Sequence, residues 1–128
     1  MSHISVPVSV GELLDKLTIL EIKAERIGDP AKLENVEREL RLLRSTWEQH
    51  DLSQNDLGSL PEELRTVNEK LWVIEDDIRQ KELDHSFDEQ FIQLARSVYL
   101  ENDRRASIKR QISEMTGSDL VEEKQHPV

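Results

Sequence analysis

Four segments of this chain place apolar residues three or four positions apart, and that spacing constrains the fold more than any other feature. The first holds Leu13, Leu17, Leu20, Ala24 and Ile27. The second holds Leu33, Val36, Leu40, Leu43 and Trp47, and the third Leu64, Val67, Leu71, Ile74 and Ile78. A fourth carries Phe91, Leu94 and Val98, then Ile108, Ile112 and Met115. Such spacing lines up one stripe of an α-helix, and its heptad-like 3-4 rhythm suits long, nearly parallel helix contacts. The expected fold is therefore all-α: a four-helix antiparallel bundle or a set of paired helical hairpins.

Local signals set the boundaries. Ser9 and Glu12 read as a capping box opening the first helix, flanked by Val8 and Leu13 at staple positions. Gly28 reads as a left-handed C-terminal cap, and Asp29-Pro30 as the N-cap and first residue of helix two. That helix should run from about Pro30 to about His50. Residues 51–61 (DLSQNDLGSLP) form the loop, with room for a short helical turn around Leu57. Ser59 with Glu62, and Ser86 with Glu89, suggest boxes for helices three and four, the latter continuing to Gly117. A single helical domain over 1–117 and a tail over 118–128, docked through Leu120 and Val121, complete the expected organisation.

Composition narrows the function classes. The chain has 128 residues, enough for one domain with a sizeable core. Its net charge of -10 disfavours generic binding to nucleic acid, whose phosphates must be neutralised, and to anionic membrane surfaces. It has no cysteine, so disulfides, zinc-thiolate sites and thiol nucleophiles are excluded. No stretch approaches the ~20 apolar residues of a membrane span, and a cytoplasmic protein is the plain expectation.

Motifs for chemistry are sparse. Glu82 and His85 form one E-x-x-H unit, whereas a di-iron bundle needs two plus further glutamates, so no metal or other cofactor is expected. A solvated histidine at a helix end explains His85. Arg44 and His50 have the spacing of helical RNA-cleaving nucleases of the HEPN type, a pattern that chance meets easily and the acidic charge opposes. Glu62, Glu63, Glu69, Glu75, Asp76 and Asp77 do not follow the order of a Mg²⁺-binding pyrophosphohydrolase. There is no phosphate-binding glycine loop, G-x-S-x-G or H-E-x-x-H.

One block breaks the helical pattern. Residues 95–110 (ARSVYLENDRRASIKR) set Arg96, Arg104, Arg105, Lys109 and Arg110 against Glu101 and Asp103, a net of 5 − 2 = +3. At 100° per residue, Asn102, Arg105 and Lys109 fall close to the apolar stripe, with Tyr99 beside it. Glu21 intrudes likewise on helix one, and Asn68, Trp72, Glu75 and Arg79 border the stripe of helix three. Glu21, Glu75, Arg79, Tyr99, Asn102, Arg105 and Lys109 are the candidate ligand-binding residues, because buried charge must be paired or bind something. Arg105 and Lys109 would supply charge, Asn102 and Tyr99 hydrogen bonds, and Glu75 would orient an arginine. The competing reading is length. Helix four, near ~45 Å against ~27 Å for helix one, would protrude at its middle or break at Asn102-Asp103.

The stretches VSVGELLDKLTILEIKAERI (8–27), LWVIEDDIR (71–79), FIQLARSVYLENDRRASIKRQI (91–112) and GSDLVEEK (117–124) together resemble a family of short bacterial proteins known only as a domain of unknown function. The resemblance implies a compact helical protein and transfers no activity or catalytic residue. A weaker similarity links the Leu-rich first helix, ending in Glu25-Arg26, to helical chorismate mutases, without the cationic residue their next helix requires.

The functional expectation is a small cytoplasmic binding or interaction module, with a homodimer, an anionic small molecule or a protein as partner. Ile19 and Ile22 favour the homodimer by adding apolar surface away from the main stripe of helix one. The alternative is an enzyme acting on a small anionic metabolite by preorganised charge, in the manner of a pericyclic mutase.

Overall fold

A computed structural model describes residues 2–124. Four helices account for the fold: α1 (Val10–Arg26), α2 (Pro30–Glu48), α3 (Leu60–Leu83) and α4 (Glu89–Met115). A 3₁₀ turn at Asp51–Gln54 precedes α3, and no strand occurs among the described residues.

The caps explain where each helix begins, and several differ from expectation. Ser9 caps α1 as anticipated, its hydroxyl accepting from the Glu12 N–H at 3.0 Å. Asp29 caps α2 through the Lys32 N–H. The cap of α4 is Asp88, which accepts from the Phe91 N–H at 3.0 Å, and not Ser86. A carboxylate there serves both the open N–H groups and the positive end of the helix dipole. Ser59 stands at the start of α3 without capping its backbone, its hydroxyl donating instead to Glu63 at 2.8 Å.

Gly28 is not the left-handed cap its position suggested: Ile27 ends α1 in an extended conformation, and the chain runs directly to the pre-proline Asp29. Left-handed backbone appears instead at Gly117 (φ 67°) and at His85 (φ 52°). Both follow a helix, and both are stabilised by the reverse hydrogen bonds of a Schellman turn: Ser118 N–H to the Ser113 carbonyl, and Ser86 N–H to the Lys81 carbonyl. The expected helical turn falls at Asp51–Gln54, ahead of Leu57, which is itself buried.

Of the two architectures the pattern allowed, the chain adopts paired hairpins. α1 is the central element, packed against α2 on one side and α3 and α4 on the other, while among the described helices and turns α2 closely approaches only α1 and the 3₁₀ turn. α1 is therefore buried on more than one stripe. Leu14, Leu17 and Leu20 join Leu40, Leu57, Leu64, Val67, Ile108 and Ile112 in the core. Ile22, expected as spare apolar surface, is only 1% exposed within the single chain.

The second hairpin outgrows the first. No residue between Glu69 and Ser107 is buried, yet this stretch holds the last two-thirds of α3 and more than half of α4. The structure thus divides into a packed base and a projecting two-helix arm, so α4 protrudes without breaking at Asn102-Asp103. At the arm's tip Lys81 pairs with Asp88 at 3.0 Å, and Phe87 meets Phe91 edge to face at 5.2 Å between ring centroids.

The tail beyond Gly117 docks by polar contacts, not through Leu120 and Val121, which stay largely exposed. Glu122 bonds to the hydroxyls of Ser9 and Ser113, Arg110 pairs with Glu123 at 2.6 Å, and Lys124 pairs with Asp103. The last four residues of the expected tail lie outside the described residues.

Candidate functional site

The polar positions of the sequence separate into three groups. At the centre of the first is Asp15 of α1, 1% exposed and facing both α3 and α4. Arg105 grips its carboxylate with two bonds, Nε to Oδ1 at 2.8 Å and Nη2 to Oδ2. Asn68 donates to Oδ1 at 3.0 Å and to the Thr18 hydroxyl at 2.8 Å, and that hydroxyl donates in turn to the Asp15 carbonyl at 2.8 Å. Lys109 sits 3.9 Å from Asp15 and donates to Glu12 at 2.7 Å. Arg105 also reaches Asn102 Oδ1 at 3.4 Å. Three helices therefore meet on one hydrogen-bonded carboxylate.

This cluster sits where backbones come close. Gly11, one turn before Asp15, donates its N–H to Ser113 Oγ at 3.0 Å. A Cβ built on Gly11 would lie 2.2 Å from the Lys109 carbonyl oxygen, so only glycine permits this approach of α1 to α4. The closeness shortens the reach from Asp15 to Arg105 and holds both oxygens of the carboxylate in charged contact. Asp15 in turn keeps the Arg105 guanidinium above its ordinary pKa, hydrogen bonding outweighing the cost of its burial.

Glu21 belongs to a second group. It pairs with Arg44 of α2 at 3.3 Å and lies 3.9 Å from Arg65 of α3, which also pairs with Glu25 and, at 2.9 Å, with Glu69. These partly exposed pairs tie α1 to both neighbours at the cluster's far edge, and each is worth little alone.

Glu75, Arg79 and Tyr99 form the third group, beyond the base. Glu75 and Arg79 pair with each other at 3.4 Å along α3, both well exposed, and Tyr99 is exposed on α4. They share one flank of the arm. Asn68 faces α1, and Trp72, Glu75 and Arg79 follow it at helical spacing. Arg105 also faces α1, and Asn102, Tyr99, Ala95 and Ile92 continue along that side of α4.

The seven candidate residues thus do not surround one cavity. Arg105, Lys109 and Asn102 converge at the base with Asp15, Asn68, Thr18 and Glu12, while Glu75, Arg79 and Tyr99 lie on the uncovered continuation of that face. Asp15 escaped the sequence reading, although Gly11, Asp15, Thr18 and Ile22 share the 4-3-4 spacing of a second α1 stripe. Among the described residues, no group of three or more His, Cys, Asp or Glu side chains is placed to hold a metal ion. No described helix is long and apolar enough to cross a membrane.

The site defines an all-α protein of paired hairpins joined by a three-helix ion-pair cluster around the buried Asp15. Residues 4–128 match a family of unknown function (DUF6165), and the chain belongs to that family. No curated protein and no solved structure matches it.

Proposed function

We propose that this chain is a small cytoplasmic interaction module that self-associates, with the base as a rigid mount and the α3–α4 arm as the contact element. The observation that carries this reading is the absence of any buried residue between Glu69 and Ser107 in a stretch rich in large apolar side chains. Val73, Leu83, Phe87, Ile92, Tyr99 and Leu100 are all exposed there. A two-helix arm buries too little surface to be stable by itself, and a partner would cover what its own chain leaves open. The cytoplasmic placement rests on composition alone.

The polar cluster supports a register role better than a pocket for an anion. Arg105 already spends its charge on the buried Asp15, and Lys109 on Glu12, so an incoming phosphate or dicarboxylate would have to displace both carboxylates, one of them buried.

Light scattering across a concentration series tests self-association, and a monomer at every concentration overturns it. A thermal-shift screen of phosphates, nucleotides and dicarboxylates tests the alternative use of the cluster. A rise in midpoint that disappears with Arg105→Ala would replace the register role with a binding site.

A further inference from the structure

We infer that two copies of this chain pair arm to arm in an antiparallel, two-fold symmetric arrangement, joined through the flank that carries Trp72, Glu75, Arg79, Ala95 and Tyr99. The inference rests on the self-association proposed above and specifies its geometry.

The flank is the continuation of the surface that α1 covers at the base. The hydrogen bonds and ion pairs of α1 with α3 fall between Arg65 and Glu69, and those with α4 between Arg105 and Ser113, among the described residues. Beyond them the same side of the hairpin holds no buried residue. An α1-like occupant is missing over a two-helix face about 24 Å long, taking roughly 16 residues per helix at 1.5 Å each.

Three features share one midpoint. Asn68 and Arg105 stand at the same level, since both bind Asp15. Nine residues further toward the tip, 68 + 9 and 105 − 9 give Asp77 and Arg96, the middle of the uncovered stretch. Glu75 and Arg79 flank position 77 symmetrically, while Ile92 and Tyr99 flank the junction of Ala95 and Arg96. A two-fold axis across the arm at that level sets Glu75 against the partner's Arg79 and Arg79 against the partner's Glu75. It also sets Ile92 against the partner's Tyr99, with the small Ala95 side chains facing each other at the axis. An isologous interface requires this reciprocity, in which residue i meets j and j meets i.

Charge and sterics agree with the arrangement. The strip itself carries one carboxylate and one guanidinium, so it is neutral on a protein of net -10. Asp76 and Glu82 border it, Asp76 near the partner's Arg79 and Glu82 at the level of the partner's Trp72. A parallel pairing is blocked, because it would drive the two α1–α2 hairpins into each other. The antiparallel pairing instead ends each tip, with Leu83 at 73% and Phe87 at 56% exposure, beside the partner's base. A strip about 24 Å long is short for a stable interface, so the dimer should dissociate on dilution.

Charge exchange tests the pairing. Glu75→Arg leaves two cations on the strip and Arg79→Glu leaves two carboxylates. Each variant alone should dissociate at least tenfold more readily than wild type, and an equimolar mixture should form a heterodimer, read by native mass spectrometry. The cysteine-free chain allows a second measurement that does not depend on those variants. Ala95→Cys should give a disulfide-linked dimer under mild oxidation. Gln80→Cys, on the opposite flank where Gln80 and Gln93 line a groove, should not.

A wild type that is monomeric throughout overturns both this geometry and the proposed self-association. A wild-type dimer whose charge variants show no preference for each other, or which cross-links through Gln80→Cys and not Ala95→Cys, overturns the geometry alone.

Discussion

The base and the arm are built from the same two helices, yet they are held together differently. In the base, α3 and α4 are covered by α1, and Leu64, Ile112 and Ser113 lose all contact with solvent. In the arm the same 3-4 rhythm continues through Leu71, Ile74, Ile78, Phe91, Leu94 and Val98, and every one of these stays partly exposed. The arm's seam is also interrupted by Glu101, whose Oε2 is buried without a hydrogen-bond partner among the described residues. A third covering helix, not the sequence rhythm, separates a core from a half-wet seam. Stability should accordingly fall from base to tip.

The sharpest way to break this contrast is a matched pair of truncations. Ile112→Ala should cost about 2–5 kcal/mol, as a fully buried large-to-small change does, whereas Leu94→Ala should cost about 1 kcal/mol. Urea denaturation measures both, and equal losses would abolish the distinction between base and arm.

Next in size comes the cluster that ends the covered region. Arg105→Ala should destabilise the fold by about 3 kcal/mol, because it leaves the Asp15 carboxylate buried with one bidentate partner gone. Replacing both together, Asp15→Leu with Arg105→Leu, should recover most of that loss. If the double variant is as unstable as the single, the cost lies in packing and not in an unpaired charge.

Gly11→Ala probes the close approach that makes the cluster possible. The added methyl meets backbone at the Lys109 carbonyl, which has no flexible end to give way, so a loss of about 1–3 kcal/mol is expected in thermal unfolding. No loss would mean that α1 can step back without breaking the Asp15–Arg105 contact.

The smallest effect belongs to the tip. Hydrogen bonds from Lys81 and from the Phe91 N–H hold the Asp88 carboxyl below its ordinary pKa. A lowered folded-state pKa means that this contribution is fully present above the unfolded value and disappears as pH falls through the folded one. Amide protection factors around residues 84–91, taken relative to the intrinsic exchange rate at each pH, should fall selectively in acid, and Asp88→Asn should lower them at neutral pH and remove the acid dependence. A uniform acid response across the chain would show that the turn has no local stability of its own.

Much of this fold was legible in the sequence because helices are local. The four apolar stripes, the Ser9 cap and the Asp29-Pro30 start all follow from spacing and capping within a few residues, while the protrusion of α4 was one of two outcomes its length allowed. The caps that differ from the sequence expectation are positions where two local solutions compete. Asp88 displaced Ser86 because its carboxylate also meets Lys81, and Gly28 was not needed for a turn because Asp29-Pro30 extends the chain directly. The candidate site was half legible. Arg105, Lys109 and Asn102 were found as polar residues on an apolar face, but Asp15 was hidden by a second stripe that matters only once α1 is central.

The sequence by itself determined which segments are helical, where they begin, and that charge intrudes on the faces of α1, α3 and α4. These depend on neighbours three or four residues away, which the chain cannot avoid. Only the tertiary structure decided which intrusions are held by a carboxylate from another helix and which lie exposed on their own. Arg105 and Glu75 look alike on a helical wheel; one meets a carboxylate 90 positions away in sequence, and the other lies past the point where α1 crosses the hairpin. That difference is set by where one helix lies across two others, and no local spacing encodes it.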